Sequence, residues 1–255
     1  MQAVAFVRGV PAAFAQCVTA RNPDPPLNPE LAAAQHAQYV AALEKGGYEV
    51  VAVSVDDDQA DSSFIEDTAV VVGNRVLITR PGHPSRRGEV ETVAEALTGR
   101  FPLHRVQEPA MIDGGDVLKM GSSIFVGRSE RTNVEGIHAL AAIAEPAGMS
   151  VTSVPVTRVL HLKSGLSALD DQTLLWHRDA CDRDVFDGFE VLEVQGDDPE
   201  AANVVRLADG GILVAEHHRQ TAELIIDSGF AVATTDVSEF ARADGGLTCL
   251  SIRVR

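Results

Sequence analysis

The chain has 255 residues and a formal net charge of −16, from 21 Lys and Arg against 37 Asp and Glu. This acidic balance argues against binding to nucleic-acid phosphates or to an anionic membrane, and it is compatible with a cationic substrate. The length suits one large α/β domain or two small ones, and no apolar run approaches the roughly 20 residues that span a bilayer. The three cysteines form no CxxC or Cys/His cluster, so zinc-ligand spacing is absent. Their odd number and the length of the chain disfavour a disulfide framework, which indicates a reducing, cytoplasmic compartment.

The predicted elements recur in one order along the chain: a strand, a tight turn, a second strand, a helix and a third strand. In the first complete unit the strands lie at 64–72, 75–80 and 103–106, around a helix whose apolar residues follow i, i+3, i+4, i+7 spacing. In the second unit, Asn133 is the expected N-cap of the helix. The further complete units lie at 113–156, 160–195 and 202–237. The last of these has a predicted helix at 221–229, whereas the helical pattern near 179–188 in the unit before it is weak.

A fifth unit is split between the two ends of the chain. The C-terminal part supplies a strand at 246–255, and the N-terminal part supplies a strand at 2–8, a helix at 29–47 and a strand at 48–55. Pairing of the two terminal strands would close a ring and leave no exposed sheet edge. The sequence therefore predicts a five-bladed α/β propeller in a single catalytic domain, 1–255, with an open mixed α/β sandwich as the alternative.

One polar residue interrupts the apolar first strand of each unit. These residues are Asp67, Asp113, His161, Asn203 and Cys249, and successive members are 42–48 residues apart. Taken singly, a buried cysteine or histidine is more often an ordinary core residue. Equivalent positions of a closed ring face one axis, however, so two carboxylates, an imidazole and a thiol are expected around one cavity. That combination activates a cysteine as a nucleophile, with the acid orienting the imidazole.

Other charged residues follow the same phase. Asp61 and Glu66 lie beside Asp67, and such carboxylates match the paired donors of a guanidinium, although a solvated acidic loop would have the same composition. Arg86 and Arg131 each follow a hairpin, and arginine is suited to holding a substrate carboxylate. Surface charge near a helix N-terminus is the alternative for both arginines, but a cation is poorly placed there for the helix dipole.

Seven short motifs occur in order over nearly the whole chain. They are FIED (64–67), ITRPG (78–82), SRR (85–87), DGGD (113–116), RTN (131–133), LHLKS (160–164) and DGGLTC (244–249). Together they resemble the dimethylarginine dimethylaminohydrolase family, which belongs to the guanidine-modifying superfamily and has the five-bladed α/β propeller called the pentein fold. The N-terminal loop, 9–27, matches that family poorly, and no motif there identifies the residue that would cover the site.

The resemblance implies a hydrolase acting on C–N bonds of linear amidines: asymmetric dimethylarginine or monomethylarginine would give L-citrulline and dimethylamine or methylamine, without a metal or other cofactor. Cys249 would attack the guanidinium carbon, His161 would be general acid and then general base around a covalent thiouronium intermediate, and Asp113 would orient His161. The implied substrate contacts are Glu66 and Asp67 on the guanidinium, Arg86 and Arg131 on the α-carboxylate, Asp61 and backbone near Val18 on the α-amino group, Phe64 as a wall, and Ala243 and Asp244 beside the nucleophile.

Other activities remain open at this point. Arginine deiminase releases ammonia from unmethylated arginine with the same residue types, but such relatives are usually longer, as are the amidinotransferases. A non-catalytic arginine-binding protein is a further alternative, against which Cys249, His161 and Asp113 argue. The expected partner is a small methylated arginine, with no nucleic acid and no membrane, and a homodimer is left as an option. The adjacent His217 and His218 are expected to be solvated rather than metal ligands.

Overall fold

A computed structural model describes residues 2–255, and over this range it contains fifteen strands and five α-helices. The strands are β1 (Val4–Arg8), β2 (Glu49–Val53), β3 (Ala69–Val72), β4 (Arg75–Ile78), β5 (Leu103–Arg105), β6 (Val117–Met120), β7 (Ser123–Arg128), β8 (Ser150–Pro155), β9 (Leu166–Ala168), β10 (Thr173–Trp176), β11 (Glu190–Glu193), β12 (Val205–Arg206), β13 (Ile212–Ala215), β14 (Val232–Thr235) and β15 (Ile252–Val254). The helices are α1 (Pro29–Lys45), α2 (Val90–Leu97), α3 (Val134–Ala144), α4 (Arg219–Asp227) and α5 (Ser238–Ala241). None of these helices is long and apolar enough to cross a membrane.

The strands form five three-stranded sheets, in the orders β15-β1-β2, β3-β4-β5, β6-β7-β8, β9-β10-β11 and β12-β13-β14. In each sheet the middle strand pairs antiparallel with one neighbour and parallel with the other. The N-terminal strand pairs with the C-terminal one in the register Val4↔Val254 to Phe6↔Ile252. The predicted repeat and the predicted pairing of the terminal strands are therefore confirmed.

Helix boundaries follow local capping chemistry. Asn28 accepts hydrogen bonds from the Glu30 and Leu31 amides at the start of α1, and Pro29 occupies the first turn, where its missing N–H costs nothing. The predicted N-cap Asn133 accepts from the Gly136 amide at the start of α3.

The predicted helix near 179–188 is wrong, because the chain makes only a 3₁₀ turn at Arg183–Phe186. This segment is rich in aspartate, and Asp182 accepts from the Asp184 backbone amide, an interaction that competes with helix formation. The short helix α5, Ser238–Ala241, has no counterpart among the predicted elements.

The chain divides into two compact units, each larger than a single repeat. From here on, "first unit" and "second unit" refer to these two parts of the chain. The first runs to Ile65 and resumes over Val204–Arg255, and it holds the sheets β15-β1-β2 and β12-β13-β14 with α1, α4 and α5. Its core packs residues such as Tyr39, Leu213 and Phe240. The second unit, Glu66–Asn203, holds the other three sheets with α2 and α3.

Apolar side chains of the second unit pack around its helices and strands, as two clusters illustrate. One packs α3 on its neighbouring strands through residues such as Leu140 and Val126. The other includes Phe125 and Phe186, whose rings lie edge to face at 4.9 Å between centroids. These clusters fix the sheet ends at which the polar residues lie.

A 3₁₀ turn precedes the first strand of every sheet. The turns are Ile65–Thr68 before β3, Gly114–Asp116 before β6, Leu162–Ser164 before β9, Pro199–Ala202 before β12 and Leu247–Leu250 before β15. The predicted strands at 64–72 and 246–255 therefore begin too early. The sequence does not show where the turn ends and the strand begins, because both carry buried apolar residues and their hydrophobic pattern is the same. The in-phase polar residues lie within these turns or directly beside them.

Candidate active site

The imidazole of His161 lies in a buried polar cluster of the second unit. Its Nε2 is 3.0 Å from Oδ2 of Asp113, a residue with no exposed surface. The other carboxylate oxygen of Asp113 accepts from the Gly82 amide at 2.9 Å. The Asp113 amide in turn donates to Oγ1 of Thr132 at 3.1 Å. The predicted acid–imidazole pair is therefore present, and its acid is held from two sides.

The electrostatic surroundings of His161 favour its charged form. Burial alone would lower the pKa of His161, but the charge of Asp67, the hydrogen bond with Asp113 and the charge of Asp116 raise that pKa to about 9. At neutral pH the ring is consequently an imidazolium, which is the form that a general acid needs.

Asp67 is held as an anion next to His161. Its Oδ1 accepts from the Gly115 amide at 2.8 Å and its Oδ2 accepts from Nη1 of Arg86 at 2.6 Å. Burial would raise the pKa of Asp67, but the charges of His161 and Arg86 lower it to about 2. A Cβ on Gly115 would lie 2.7 Å from Nδ1 of His161 and 2.9 Å from Oδ1 of Asp67, so only glycine leaves room for this arrangement.

Arg86 is engaged by two carboxylates. Its Nε and Nη2 donate to the two oxygens of Glu89 at 3.0 and 2.8 Å, while Nη1 binds Asp67, and the residue is only 5% exposed. The predicted contact of Arg86 with a substrate carboxylate stays a prediction, and it would require these ion pairs to rearrange. Arg131 differs, because it is half-buried and within residues 2–255 no hydrogen bond or ion pair involves its guanidinium.

Glu66 is paired with a lysine that the sequence reasoning did not single out. Nζ of Lys163 lies 2.5 Å from Oε1 of Glu66, and both residues are buried. The amide side chain of Asn203 donates to the Lys163 carbonyl at 2.8 Å, which fixes the backbone at that point. The signal was available in the LHLKS motif, where a lysine stands in a buried segment. Because Glu66 and Asp67 lie on a 3₁₀ turn rather than on a strand, both can be directed into buried surroundings.

Cys249 belongs to the first unit. It lies in the 3₁₀ turn Leu247–Leu250, between two buried neighbours, and is itself half-buried. The preceding bend includes Asp244, which has a left-handed φ of 56°, and the buried Ala243. The predicted nucleophile is thus on a short, tightly bent segment.

Two other predicted residues of the first unit, Asp61 and Asp244, bind an N-terminal loop. Asp61 accepts from the Val18 amide at 3.2 and 3.3 Å, and Asp244 accepts from the Ala20 amide at 2.5 Å. Asp61 is buried, while Val18 is 36% exposed. The carboxylate expected to meet an α-amino group therefore also binds the loop on which Val18 lies.

Phe64 packs in an aromatic cluster of the first unit. Its ring is 6.1 Å from that of Phe240 and 6.3 Å from that of Phe14, centroid to centroid. A Cβ on Gly245 would lie 2.2 Å from Cε1 of Phe64, so the bend beside Asp244 and this ring fit together only with glycine. Phe64 is 5% exposed and suits the predicted role of a wall.

One group of potential metal ligands occurs among the described residues. The ligand atoms of Asp67, Asp113 and His161 lie within 4.8 Å of one another. These atoms already take part in the hydrogen bonds given above, and the positive charges of Arg86 and the imidazolium disfavour a further cation there. The prediction of a reaction without metal remains untested.

A family model described as arginine deiminase matches residues 53–198. The N(G),N(G)-dimethylarginine dimethylaminohydrolase of Streptomyces coelicolor is 44% identical over 228 residues, which cover 88% of this chain and 86% of that protein. The enzyme of the same name from Pseudomonas aeruginosa is 34% identical over 86% of this chain and 87% of its own.

A solved structure of the Pseudomonas aeruginosa protein superposes on the whole chain. This structure is a cysteine-to-serine mutant complexed with citrulline, and the similarity has a TM-score of 0.94 at 29% identity and covers 100% of both chains. Together with the five three-stranded sheets, it confirms the predicted five-bladed α/β propeller.

Proposed function

Because this chain belongs to the dimethylarginine dimethylaminohydrolase family and hydrolyses methylated arginines to citrulline, we propose that Cys249, His161 and Asp113 perform that reaction. The observation that carries the proposal is the buried His161–Asp113 pair, whose imidazole has a pKa of about 9, above its ordinary value although burial opposes this. We further propose that residues 1–255 form a single catalytic domain, as the repeat in the sequence predicts.

In the first half-reaction the Cys249 thiolate attacks the guanidinium carbon. A C–S bond forms, and the tetrahedral adduct collapses as the C–N bond to the methylated nitrogen breaks. His161 gives its proton to the departing amine, so that dimethylamine or methylamine leaves and a covalent thiouronium remains on sulfur. Asp113 holds the imidazole in position and stabilises its charge.

In the second half-reaction the now neutral His161 removes a proton from water. The hydroxide attacks the thiouronium carbon and gives a tetrahedral adduct. As its C–S bond breaks and the thiolate is restored, the new hydroxyl loses its proton to solvent, so that citrulline leaves with a carbonyl oxygen. His161 thus regains the proton it gave away, and the second water proton is taken up in solution by the released amine. The high pKa of His161 suits the acid step, and once its proton has left with the neutral amine the imidazole is able to act as a base.

The charged surroundings support recognition of a guanidinium. Asp67, whose pKa of about 2 keeps it ionised although burial opposes this, would take the guanidinium nitrogens, together with Glu66. Arg131 would bind the α-carboxylate, because its guanidinium is not engaged within the described chain, and Arg86 is the second predicted arginine there. The remaining proposed contacts are Asp61 and Val18 for the α-amino group, and Phe64, Ala243 and Asp244 around the reacting carbon.

Arginine deiminase is the second candidate reaction, favoured by the description of the family model that matches residues 53–198. A panel of arginine, monomethylarginine and asymmetric dimethylarginine, assayed for citrulline with wild type and Cys249→Ser, separates the two. We expect preference for a methylated substrate and no detectable citrulline from Cys249→Ser, which should keep its fold. Preference for arginine would move the assignment to the deiminase, and turnover by Cys249→Ser would overturn the nucleophile.

A matched control for the thiol is Cys181→Ser. Cys181 is a partly buried cysteine whose pKa is raised to about 12, mainly by burial, so it is a poor nucleophile. This variant should retain full turnover. Location in the cytoplasm and assembly as a homodimer stay proposals, which fractionation and sedimentation would test.

A further inference from the structure

Asp116 closes the DGGD motif and has no exposed surface. Its Oδ1 accepts from the Leu162 amide at 2.9 Å, and its Oδ2 accepts from the Ser129 hydroxyl at 2.6 Å. The Thr132 side chain donates a third hydrogen bond to this carboxylate. A Cβ at Gly127 would lie 2.5 Å from Oδ1, so the pocket around the carboxylate is closely packed.

Each hydrogen-bond partner of Asp116 is either adjacent in sequence to a residue of the proposed site or hydrogen-bonded to one. Leu162 directly follows His161, so this bond fixes the backbone that carries the imidazole. Thr132 accepts the Asp113 amide on the same oxygen that donates to Asp116, and the Asp116 amide donates to the Asp113 carbonyl at 3.1 Å.

The third link concerns the arginine that is not otherwise engaged. The Ser129 hydroxyl that donates to Asp116 also accepts from the Arg131 amide at 3.0 Å. One buried carboxylate therefore contacts the segments of the acid–base pair and of the proposed carboxylate-binding residue. Ser129 and Thr132 lie on one loop and Leu162 follows 30 residues later, yet all three bind the same carboxylate.

We propose that Asp116 is a positioning residue that holds His161, Asp113 and Arg131 in register through Leu162, Thr132 and Ser129. The proposal rests on the function proposed above, because it assigns to Asp116 the task of placing those three residues. Asp116 touches no reacting atom, and it acts by geometry and by its charge. That charge faces His161 together with Asp67 and Asp113, and all three carboxylates favour the imidazolium.

The proposal predicts separable effects. Ser129→Ala removes the hydroxyl that joins the Asp116 carboxylate to the Arg131 amide, so it should raise KM for dimethylarginine about 10-fold with little change in kcat. Thr132→Val removes the link to Asp113, so it should lower kcat and shift the alkaline limb of the pH–kcat/KM profile. Asp116→Asn should do both, and it should move that limb to lower pH because a negative charge near His161 is lost.

A control separates this role from stability alone. Glu239 is also a buried carboxylate; it accepts from the Asn28 amide at 2.8 Å and from Arg242 at 2.6 Å, in the first unit. Glu239→Gln should lower Tm but leave KM, kcat and the pH profile unchanged.

The proposal is overturned if folded Asp116→Asn has wild-type kinetics and pH profile, or if Ser129→Ala and Thr132→Val change only Tm, as Glu239→Gln does. Should Asp116→Asn not fold, the two single-link variants still decide. Failure of the proposed function is a different result, since the wild-type enzyme itself would then produce no citrulline from dimethylarginine.

Discussion

In the second unit the site side chains bind one another: His161 with Asp113, Asp67 with Arg86, and Glu66 with Lys163. In the first unit, Asp61 and Asp244 instead accept backbone amides of the N-terminal loop. Charge–charge contacts between buried side chains fail when one partner is removed, because the other is left unpaired. In the second unit, neighbouring charges therefore keep His161 and Asp67 ionised. In the first unit, the backbone of a 3₁₀ turn positions Cys249, and hydrogen bonds to backbone amides position the N-terminal loop.

The largest expected effect on the rate is that of removing the imidazole of His161, the central group of the second unit. His161→Gly should lower kcat by about 10²–10⁴-fold, because both proton transfers lose their positioned group. Steady-state citrulline assays measure this, and added imidazole should restore part of the rate. His177→Gln is the control: His177 is buried in the same unit, and its Nε2 binds the Gly196 carbonyl. An unchanged rate in His161→Gly would remove the acid–base role.

The two arginines give the next largest effect. Arg131→Gln should lower kcat/KM for dimethylarginine about 10–100-fold but leave dimethylagmatine, which lacks the carboxylate, unaffected. Arg86→Gln should lower kcat/KM for both compounds, because it leaves the carboxylates of Asp67 and Glu89 buried without their partner. If instead the loss in Arg86→Gln is confined to dimethylarginine, Arg86 binds the α-carboxylate as the sequence predicts.

The smallest effect compares one histidine from each unit by the pH dependence of stability. Burial lowers the pKa of His36 from 6.5 to about 4. Its stabilising contribution is therefore present above pH 6.5 and is lost as pH falls towards 4. His161, with a pKa raised to about 9 against the effect of burial, contributes fully below pH 6.5, and that contribution is lost as pH rises through 9.

Urea unfolding at pH 5, 7 and 9 measures these opposite slopes. Nε2 of His36 has no hydrogen-bond partner among residues 2–255, and its ring packs beside Tyr39 and Phe240, so His36→Phe is a compatible substitution. It should remove an acid-side loss of at most roughly 3 kcal/mol, since one pKa unit corresponds to about 1.4 kcal/mol. An unchanged acid slope would contradict the role of His36.

Much of this arrangement follows from sequence periodicity. The regular spacing of the five in-phase residues predicts five repeats, and the strand pairings confirm them. These residues are Asp67, Asp113, His161, Asn203 and Cys249. Periodicity reports which residues share a phase, because each repeat buries the same face. The His161–Asp113 bond, between residues 48 apart, was predictable on that basis and on the resemblance.

The buried ion pairs of the site were not predictable from the repeat, because it does not tell which charged side chains bind one another. Glu89 stands three residues after Arg86, a spacing that a surface helix would share, and only the fold shows that both are buried with Asp67. Lys163 and Asp116 stand in two of the sequence motifs, but their buried contacts were not predictable, since a charged residue in a short motif is usually solvated. Burial of an ion pair depends on distant elements, and local sequence does not encode it.

The 3₁₀ turn that precedes each first strand has a consequence for how activities arise on this scaffold. Four of the five turns carry or adjoin Asp67, Asp113, His161 and Cys249, while the fourth in chain order adjoins Asn203, whose amide binds a backbone carbonyl. Substitution at one turn can therefore change a chemical group without disturbing the hydrogen-bonded strands behind it. In this fold the chemical groups and the strand pairing are therefore carried by different residues, since none of the five in-phase polar residues belongs to a paired strand.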